Sequence, residues 1–397
     1  MNPADLYRTP NALVPHYAHF GVDKRLLFTG HSHQAWPDCG LVGQLEAWSD
    51  AAAYVDEKWE RAFAKAERVK AGFAQLVDDR EGIYTLAPST HDLLVRWLSS
   101  LDLRRRPRLV TTDGEFHSVR RQLDRLAEEG IEVVRVPHRP ADGVAERLAA
   151  AVDERTAAVI ASAVFFTNAH IVPQLGIAMQ ACERAGAVLL VDAYHALDVV
   201  PFSLAEQGLD HAFVVGGGYK YCQLGEGNCF LRSPPDVPLR PIVTGWFAEF
   251  DALAEPTGSS RVPYGEVGGR FAGSTYDPTS HYRAAKVFDF FETQKLTPAL
   301  LREVSQHQVG RLSAAFDALD ADPEKIRRDR STPLDRVAGF LALDAPRAGD
   351  LCRALRQRGV LADYRGDVLR LGPAPYLTDD QLDAGIACLG EVIASLF

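Results

Sequence analysis

The chain has 397 residues, of which 47% are apolar and 24% charged, and this globular composition excludes wholesale disorder. A net charge of −10 argues against a nucleic-acid-binding or anionic-membrane protein, since either would show a basic excess. The longest apolar run, from Ala157 to Phe166, is too short to cross a membrane. No secretory signal is visible and the six cysteines form no C-x-x-C pair, so we expect a cytoplasmic protein with reduced thiols.

After an irregular first forty residues, the apolar spacing predicts a helical stretch from about Leu41 to Leu76. Strands and helices then alternate. Strands are predicted over 83–86, 108–112, 131–137, 157–165, 187–192 and 209–215, and helices over 90–98, 118–129, 143–151 and 175–185, with Ser89 or Thr90 as a helix N-cap. The strands are continuously apolar, so the pattern indicates an α/β fold with a mostly parallel sheet covered on both faces.

The second half of the sequence has a different pattern of elements. Residues 234–279 are rich in glycine, proline and aromatic residues, and we interpret them as a long functional loop region. Helices are then predicted from His281 and over 300–319, 349–358 and 379–396, with strands over 337–343 and 368–372. This pattern predicts a smaller α/β domain. We expect an N-terminal segment (1–45) that packs with the small domain, a large domain (46–278) and a small C-terminal domain (279–397).

Two strand ends carry the residues that suggest chemistry. Val191–His195 ends one apolar strand, and Gly216–Tyr221 follows another. Ligands of open α/β sheets lie outside the carboxyl ends of the strands, so Asp192, His195 and Lys220 can converge on one ligand. A lysine and a carboxylate are what a pyridoxal phosphate site requires, the lysine to hold the cofactor and the carboxylate to keep its ring nitrogen protonated. Lys220 must then be partly desolvated or near another positive group.

The motifs D-A-Y-H at 192–195 and Y-K-Y-C-Q-L-G-E-G at 219–227 resemble the class V branch of the fold-type I pyridoxal phosphate enzymes, and within it most closely the kynureninases. The similarity runs from about residue 28 to 380, with further matches at 245–247, 270–275 and 369–376. It implies a mostly parallel seven-stranded sheet sandwiched by helices, a smaller C-terminal α/β domain, pyridoxal 5'-phosphate as cofactor, a small-molecule amino-acid substrate and a homodimer with shared active sites.

The resemblance also implies roles for individual residues. Lys220 would hold the cofactor and shuttle a proton, Asp192 would pair with the pyridinium nitrogen, and Tyr219 would add a hydroxyl to the phosphate. The other implied positions are His195 near the phenolic oxygen, Phe116 on the ring face, Ser89 and Thr90 at the phosphate, Trp246 and Thr275 at the phosphate of the neighbouring subunit, Arg370 on the substrate carboxylate, and His31 and Ser32 near the substrate. A helix N-terminus at Ser89 is a physically suitable anion site.

For some of these residues a purely structural role stays open. Phe116 could be ordinary core, Ser89 and Thr90 only a helix cap, and Arg370 a surface residue. The sequence also departs from the kynureninase pattern. Gly30–Gln34 replaces the family's G-N-S-L-G, Val119 stands where the family has an aspartate, and Gly218 where it has a serine.

These features predict hydrolytic Cβ–Cγ cleavage of L-kynurenine, 3-hydroxykynurenine or a close analogue to an anthranilate-type product and L-alanine. The alternative is another class V enzyme, an aminotransferase, β-lyase or desulfurase, and a non-catalytic binding module ranks last because Lys220 is intact. A desulfurase needs a mobile cysteine, whereas Cys352 lies in a helical core pattern. We expect no metal: His31 and His33 alternate but lack a third ligand. We expect Gly216–Gly218 to let the backbone approach the cofactor.

Overall fold

The computed structural model describes residues 1–79, 81–235, 239–252, 262–265 and 269–397. The helices of the described part are α1 (Ala4–Tyr7), α2 (Cys39–Tyr54), α3 (Lys58–Leu76), α4 (Thr90–Leu98), α5 (His117–Glu128), α6 (Val144–Ala151), α7 (Gly176–Ala185), α8 (Leu204–Gln207), α9 (Thr279–Gln294), α10 (Pro298–Ala318), α11 (Ala348–Gln357) and α12 (Asp379–Leu396). Short 3₁₀ helices cover Val14–His16, Val22–Lys24, Trp246–Ala252 and Leu334–Arg336.

The strands are β1 (Leu26–Leu27), β2 (Ile83–Ala87), β3 (Arg108–Thr112), β4 (Glu132–Val136), β5 (Thr156–Ser162), β6 (Val188–Asp192), β7 (Phe213–Gly217), β8 (Cys229–Ser233), β9 (Arg327–Arg328), β10 (Leu341–Asp344), β11 (Val360–Leu361), β12 (Asp363–Arg365) and β13 (Val368–Leu371). Seven of them form the main sheet in the order β2-β8-β7-β6-β5-β3-β4. Strand β8 runs antiparallel to both neighbours, and the other neighbouring pairs are parallel. The predicted mostly parallel seven-stranded sheet is therefore confirmed.

The side chains of the central strands alternate between two apolar cores. In β5, Val159 and Ala161 belong to one core, whereas Ala158 and Ile160 belong to the other, and all seven residues of the strand are buried. Each face of the sheet needs a cover because both are apolar. Helix α4, with Trp97 fully buried, packs against β7 and β8 on one face, and α7 packs against β5 and β6.

Several boundaries differ from the sequence predictions. The helical stretch 41–76 is two helices, because the backbone of Val55 takes a left-handed φ of 48° after α2. The strand predicted over 209–215 begins at Phe213 and continues into Gly216 and Gly217. The antiparallel strand β8 was not predicted. Within the predicted loop region 234–279, residues 236–238, 253–261 and 266–268 lie outside the described residues.

A second, antiparallel sheet has the order β12-β13-β10-β9 and lies in the C-terminal part of the chain. The N-terminal segment joins this part, since β1 pairs in parallel with β11 and Thr29 forms a bridge with Gly372. The division into three segments at residues 45 and 278 stays a prediction. All six cysteines are unpaired. None of the helices in the described residues is long and apolar enough to cross a membrane.

Candidate active site

A cavity of about 280 Å³ opens at the carboxyl ends of the central strands. Asp192 ends β6, Ser162 ends β5, and Tyr219 and Lys220 follow β7, so the parallel strands bring all four to one edge of the sheet. The remaining wall residues are Pro88, Ser89, Thr90, His91, Phe116, Ser118, Val164, Phe166, Tyr194, His195, Glu226, Gly227 and Cys229. This position agrees with the general location of ligand sites in open α/β sheets.

Lys220 is buried, with only 5% of its surface exposed, and its Nζ lies 2.7 Å from Nε2 of His195. Burial lowers the pKa of Lys220 to about 7; the positive charge of Arg370 acts in the same direction, and the negative charge of Asp192 acts against it. A substantial fraction of the amine is therefore neutral and nucleophilic near pH 7.

His195 is the hydrogen-bond partner of this amine. Burial, followed by the charges of Lys220 and Arg370, lowers its pKa well below the ordinary value, so the imidazole is neutral. Its Nδ1 has no hydrogen-bond partner among the described residues. A neutral imidazole and a partly neutral amine can exchange a proton along the Nε2–Nζ contact.

Asp192 lies on the cavity wall beside Lys220. Its Oδ1 accepts a hydrogen bond of 2.9 Å from the backbone N–H of Tyr194, which fixes the carboxylate at the strand end. Burial raises the pKa of Asp192, while the Tyr194 N–H and the charge of Lys220 oppose this rise. A ligand that offers a positive ring N–H to this carboxylate would relieve the cost of its burial.

The anion end of the cavity is the start of helix α4. Ser89 is the N-cap, its Oγ accepts from the backbone N–H of Asp92 at 3.1 Å, and Thr90 is the first helical residue. Ser89 therefore does cap the helix, and it also lines the cavity together with Thr90 and His91. The free N–H groups of the first turn and the helix dipole favour a phosphate at this end.

Phe116 is half-buried and lines the cavity. The ring packs edge-to-face against Phe166 at a centroid distance of 5.2 Å and lies 5.4 Å from Nζ of Lys220. It is not ordinary core. Val119, on the same helix turn, is buried in the apolar core at the position where the family has an aspartate.

Tyr219 also lines the cavity, and its ring stacks on His33 at 4.9 Å. Burial raises the pKa of Tyr219 to about 12, so its hydroxyl remains a proton donor. Ser32 is half-buried, and its Oγ lies 3.4 Å from the carbonyl oxygen of Thr29. Neither Ser32 nor His31 lies on the cavity wall; His31 is fully buried and contacts Asp363 instead.

Arg370 is not a surface residue, because only 2% of its surface is exposed. Its Nε and Nη2 donate to the two carboxylate oxygens of Asp363 at 2.9 and 2.6 Å, and Nη1 donates to the carbonyl oxygen of Phe166 at 2.6 Å. Phe166 belongs to the cavity wall, so this bond joins the guanidinium to the wall, although Arg370 is not itself a wall residue. Its charge lowers the pKa values of Lys220 and His195, which agrees with this proximity.

Two predicted residues do not reach the cavity of their own chain. Trp246 is 44% exposed and packs against Phe247 and Phe250, and Thr275 is exposed. They lie by an adjoining cavity of about 790 Å³ whose wall includes Phe247, Phe250, Ser274 and Tyr276 and which shares Pro88, Glu226 and Gly227 with the first. Whether they serve a neighbouring subunit stays a prediction.

Glu115 is a buried acid of this region for which the sequence analysis assigned no role. It accepts hydrogen bonds from Oγ1 of Thr112 at 2.7 Å and from Oγ and N of Ser162 at 2.6 and 3.2 Å. Burial raises its pKa to about 7, and the nearby charge of Asp192 adds to the rise. A signal was present, because Glu115 directly precedes the predicted stacking residue Phe116 in the short segment between β3 and α5.

The glycine run allows close packing of protein side chains, and its expected approach to a cofactor stays a prediction. A Cβ on Gly217 would lie 2.5 Å from Sγ of Cys229 and from the hydroxyl of Tyr194, and one on Gly218 would lie 2.3 Å from Leu224. The strand end can therefore approach its neighbours only without side chains. No group of three or more histidine, cysteine or acidic side chains that could hold a metal occurs in the part of the chain that the structure describes.

The wall of the cavity offers one group for each part of pyridoxal phosphate: an amine of lowered pKa, a carboxylate, an aromatic face and a helix N-terminus. The residues thus fit this cofactor in type and position. Lys220, Asp192, Phe116 and Ser89 come from four different segments of the chain, and the fold brings them to one cavity.

No protein-family model matches the chain. It is 24% identical over 346 residues to an uncharacterized aminotransferase, YcbU, of Bacillus subtilis (strain 168), which covers 85% of this chain and 86% of that protein. It is 28% identical over 308 residues to the 8-amino-7-oxononanoate synthase of Mycolicibacterium smegmatis, which covers 72% and 68% of the two chains.

Solved structures show the likeness of the fold. A cysteine desulfurase from Thermococcus onnurineus NA1 superimposes with a TM-score of 0.81 at 15% identity, covering 98% of this chain and 99% of that one. A mutant of C-DES with glycine covalently linked to its PLP cofactor gives 0.78 at 16% identity, covering 95% and 98%. The chain thus shares the α/β fold of these two structures over nearly its whole length.

Proposed function

We propose that the protein is a pyridoxal phosphate-dependent enzyme that acts on an amino acid. The observation that carries this proposal is the buried Lys220, whose pKa is lowered to about 7, on the wall of a cavity that Asp192 also lines. The named relatives support it, because they include an aminotransferase and an enzyme with a PLP cofactor. These proteins are named for several reactions on one fold, so the fold does not select the reaction.

Each residue of the cavity would have a defined task. Lys220 would hold the cofactor through Nζ and, with His195 at 2.7 Å, take up and return protons there. Asp192 would keep the ring nitrogen protonated, Phe116 would cover one ring face, and the α4 N-terminus at Ser89 would hold the phosphate. When bound, the cofactor supplies an electron sink that stabilises a carbanion of the substrate.

The substrate would bind through its α-carboxylate. Arg370 uses three of its five N–H groups on Asp363 and Phe166 and keeps two for a ligand. Bidentate pairing of this kind is the usual way in which arginine recognises a carboxylate. The remainder of the substrate would lie against the aromatic side chains Phe116 and Phe166.

For the reaction itself we propose hydrolytic Cβ–Cγ cleavage of a kynurenine-type substrate as the first candidate to test, on the motifs at 192–195 and 219–227. Transamination, β-elimination and desulfuration are the alternatives, and the names of the similar proteins favour these three reactions over hydrolytic cleavage. The burial of Cys352 and Cys229 disfavours desulfuration through a protein thiolate. Cys352 is buried, and Cys229, on the cavity wall, has a pKa that burial raises to about 12.

The decisive experiment is product analysis by mass spectrometry. Cofactor-loaded protein is incubated separately with L-kynurenine, 3-hydroxykynurenine, L-cystine, and L-alanine plus a 2-oxo acid. Release of L-alanine and the matching anthranilate above a cofactor-only control supports the first candidate, whereas pyruvate or a new amino acid supports an alternative. The Lys220→Ala variant is the control, and it should lose both the visible absorbance and turnover. Full activity in this variant would refute the proposed site.

We also propose that two copies of the chain form a homodimer. Helix α2 exposes Leu41, Val42, Leu45 and Trp48, the last at 79%, although its other side packs against α9. Single exposed apolar residues are common on protein surfaces, but these four and the exposed Trp246 together form more apolar surface than such isolated residues would. Light scattering after gel filtration should give twice the chain mass for the native protein and a single chain for Trp48→Glu.

A further inference from the structure

The guanidinium of Arg370 is held in one orientation by partners from two parts of the fold. Arg370 on β13 lies opposite Asp363 on β12 in the antiparallel register, and the two side chains form a bidentate pair. The third bond, from Nη1 to the carbonyl oxygen of Phe166, ties the same group to the wall of the cavity. Counted against these three bonds, one N–H on each terminal nitrogen remains for a further acceptor.

His31 completes the arrangement from the N-terminal segment. Its side chain is fully buried, and Nε2 lies 2.8 Å from Oδ1 of Asp363. Burial lowers the pKa of His31 to about 4. Although burial opposes it, the hydrogen bonds from His31 and Arg370 hold the pKa of Asp363 well below its usual range. An ionised Asp363 can only accept, so Nε2 of the neutral His31 must carry the proton.

We infer that Asp363 and His31 are positioning residues that hold the guanidinium of Arg370 in the orientation that receives the carboxylate of an amino-acid substrate. The inference rests on the proposed function and adds two residues to it. Asp363 determines the plane of the guanidinium, and the neutral His31 holds Asp363 without adding a charge. His31 is not on the cavity wall, so it would act on the site through its contact with Asp363.

The pair Arg370–Asp363 is nearly neutral as a whole, and this has a consequence for recognition. Long-range attraction of anions by Arg370 is weakened by the carboxylate at 2.6 Å, so directed hydrogen bonds must supply the selectivity. Loss of the orientation should therefore affect ligands with a carboxylate and leave other amines unaffected. Arg365 on β12, with 41% of its side chain exposed, is a second cation close to Asp363, at 3.6 Å.

The test is a spectroscopic titration of the cofactor-loaded full-length protein with two probes, L-alanine and L-alaninamide, which differ in the carboxylate. The native protein should bind L-alanine more tightly. Asp363→Asn should weaken the binding of L-alanine at least tenfold and change the affinity for L-alaninamide less than twofold. Asp367→Asn, which removes an exposed acid of the neighbouring turn, is the matched control and should change neither. His31→Leu should resemble Asp363→Asn, and His31→Gln, which can still donate, should restore part of the affinity.

Each outcome has one meaning. Equal losses for both probes in Asp363→Asn would show a merely structural role and overturn the inference, as would an unchanged affinity for L-alanine. Native protein that holds the cofactor but binds neither probe would refute the proposed function itself. If Asp363→Asn does not fold, as judged by thermal unfolding, the comparison of His31→Leu with His31→Gln decides.

Discussion

The lowered pKa of Lys220 makes a prediction about how fast the protein captures its cofactor. With a pKa of about 7, half of the amine is neutral at pH 7. A solvated lysine with a pKa of about 10.4 has only about one neutral amine in 2,500 at the same pH. The buried lysine should therefore exceed a surface lysine by about a thousandfold in reactive fraction near neutrality.

The assay is stopped-flow absorbance of apoprotein mixed with pyridoxal phosphate between pH 5.5 and 9. The rate constant should rise about tenfold per unit below pH 7 and level off above it, because only the neutral amine reacts. A small lysine derivative run in parallel corrects for the ionisation of pyridoxal phosphate itself. In Asp192→Asn the midpoint should move to lower pH, because the negative charge of Asp192 raises the pKa of Lys220.

A different pH profile would refute this reasoning. A rate that keeps rising up to pH 9 would mean that Lys220 is hydrated and behaves as an ordinary lysine. A midpoint that Asp192→Asn leaves in place would mean that the two charges do not interact.

The lowered pKa of Lys220 also predicts that the stability of the apoprotein increases as the pH rises from 7 towards 10.5, since the unfolded state then binds more protons than the folded state.

Three further predictions concern Asp192, Glu115 and Cys352. Asp192→Asn should keep the cofactor bound but reduce turnover by about a hundredfold or more, which steady-state kinetics with a verified substrate would measure; unchanged turnover would exclude Asp192 as the partner of the ring nitrogen. Glu115→Gln should increase the free energy of unfolding by roughly 1–3 kcal/mol at pH 8 and by less at pH 5. The reason is that burial raises the pKa of Glu115 to about 7, so the wild type loses stability as the pH rises through this value. Denaturant melts at both pH values check this, and a larger gain at pH 5 would contradict it. Cys352→Ala should leave turnover unchanged, since the thiol donates to the carbonyl oxygen of Ala362 inside the core; a large loss of activity would reopen the desulfurase alternative.

Much of the architecture could be predicted from the sequence because it depends on local patterns. Continuous apolar strands of five to seven residues alternating with amphipathic helices predict a parallel sheet with two covered faces, and the parallel pairs of the main sheet agree with this. Strand β8 (Cys229–Ser233) was not predicted, because it is short and includes the charged Arg232. That arginine is buried, with its Nη1 bonded to the carbonyl oxygens of Asp210 and Ala212, a compensation that no local pattern reveals.

The sequence by itself determined which residue types the site contains and where they follow the strands: a lysine and a carboxylate at two strand ends, and a cap at a helix start. Only the tertiary structure decided their chemistry. The reactivity of Lys220 depends on its burial, and the state of Arg370 depends on Asp363 from the adjacent strand and on His31, which lies 332 residues from Asp363 along the chain. Burial and long-range charge pairs depend on packing between distant segments, and for this reason they cannot be predicted from local sequence.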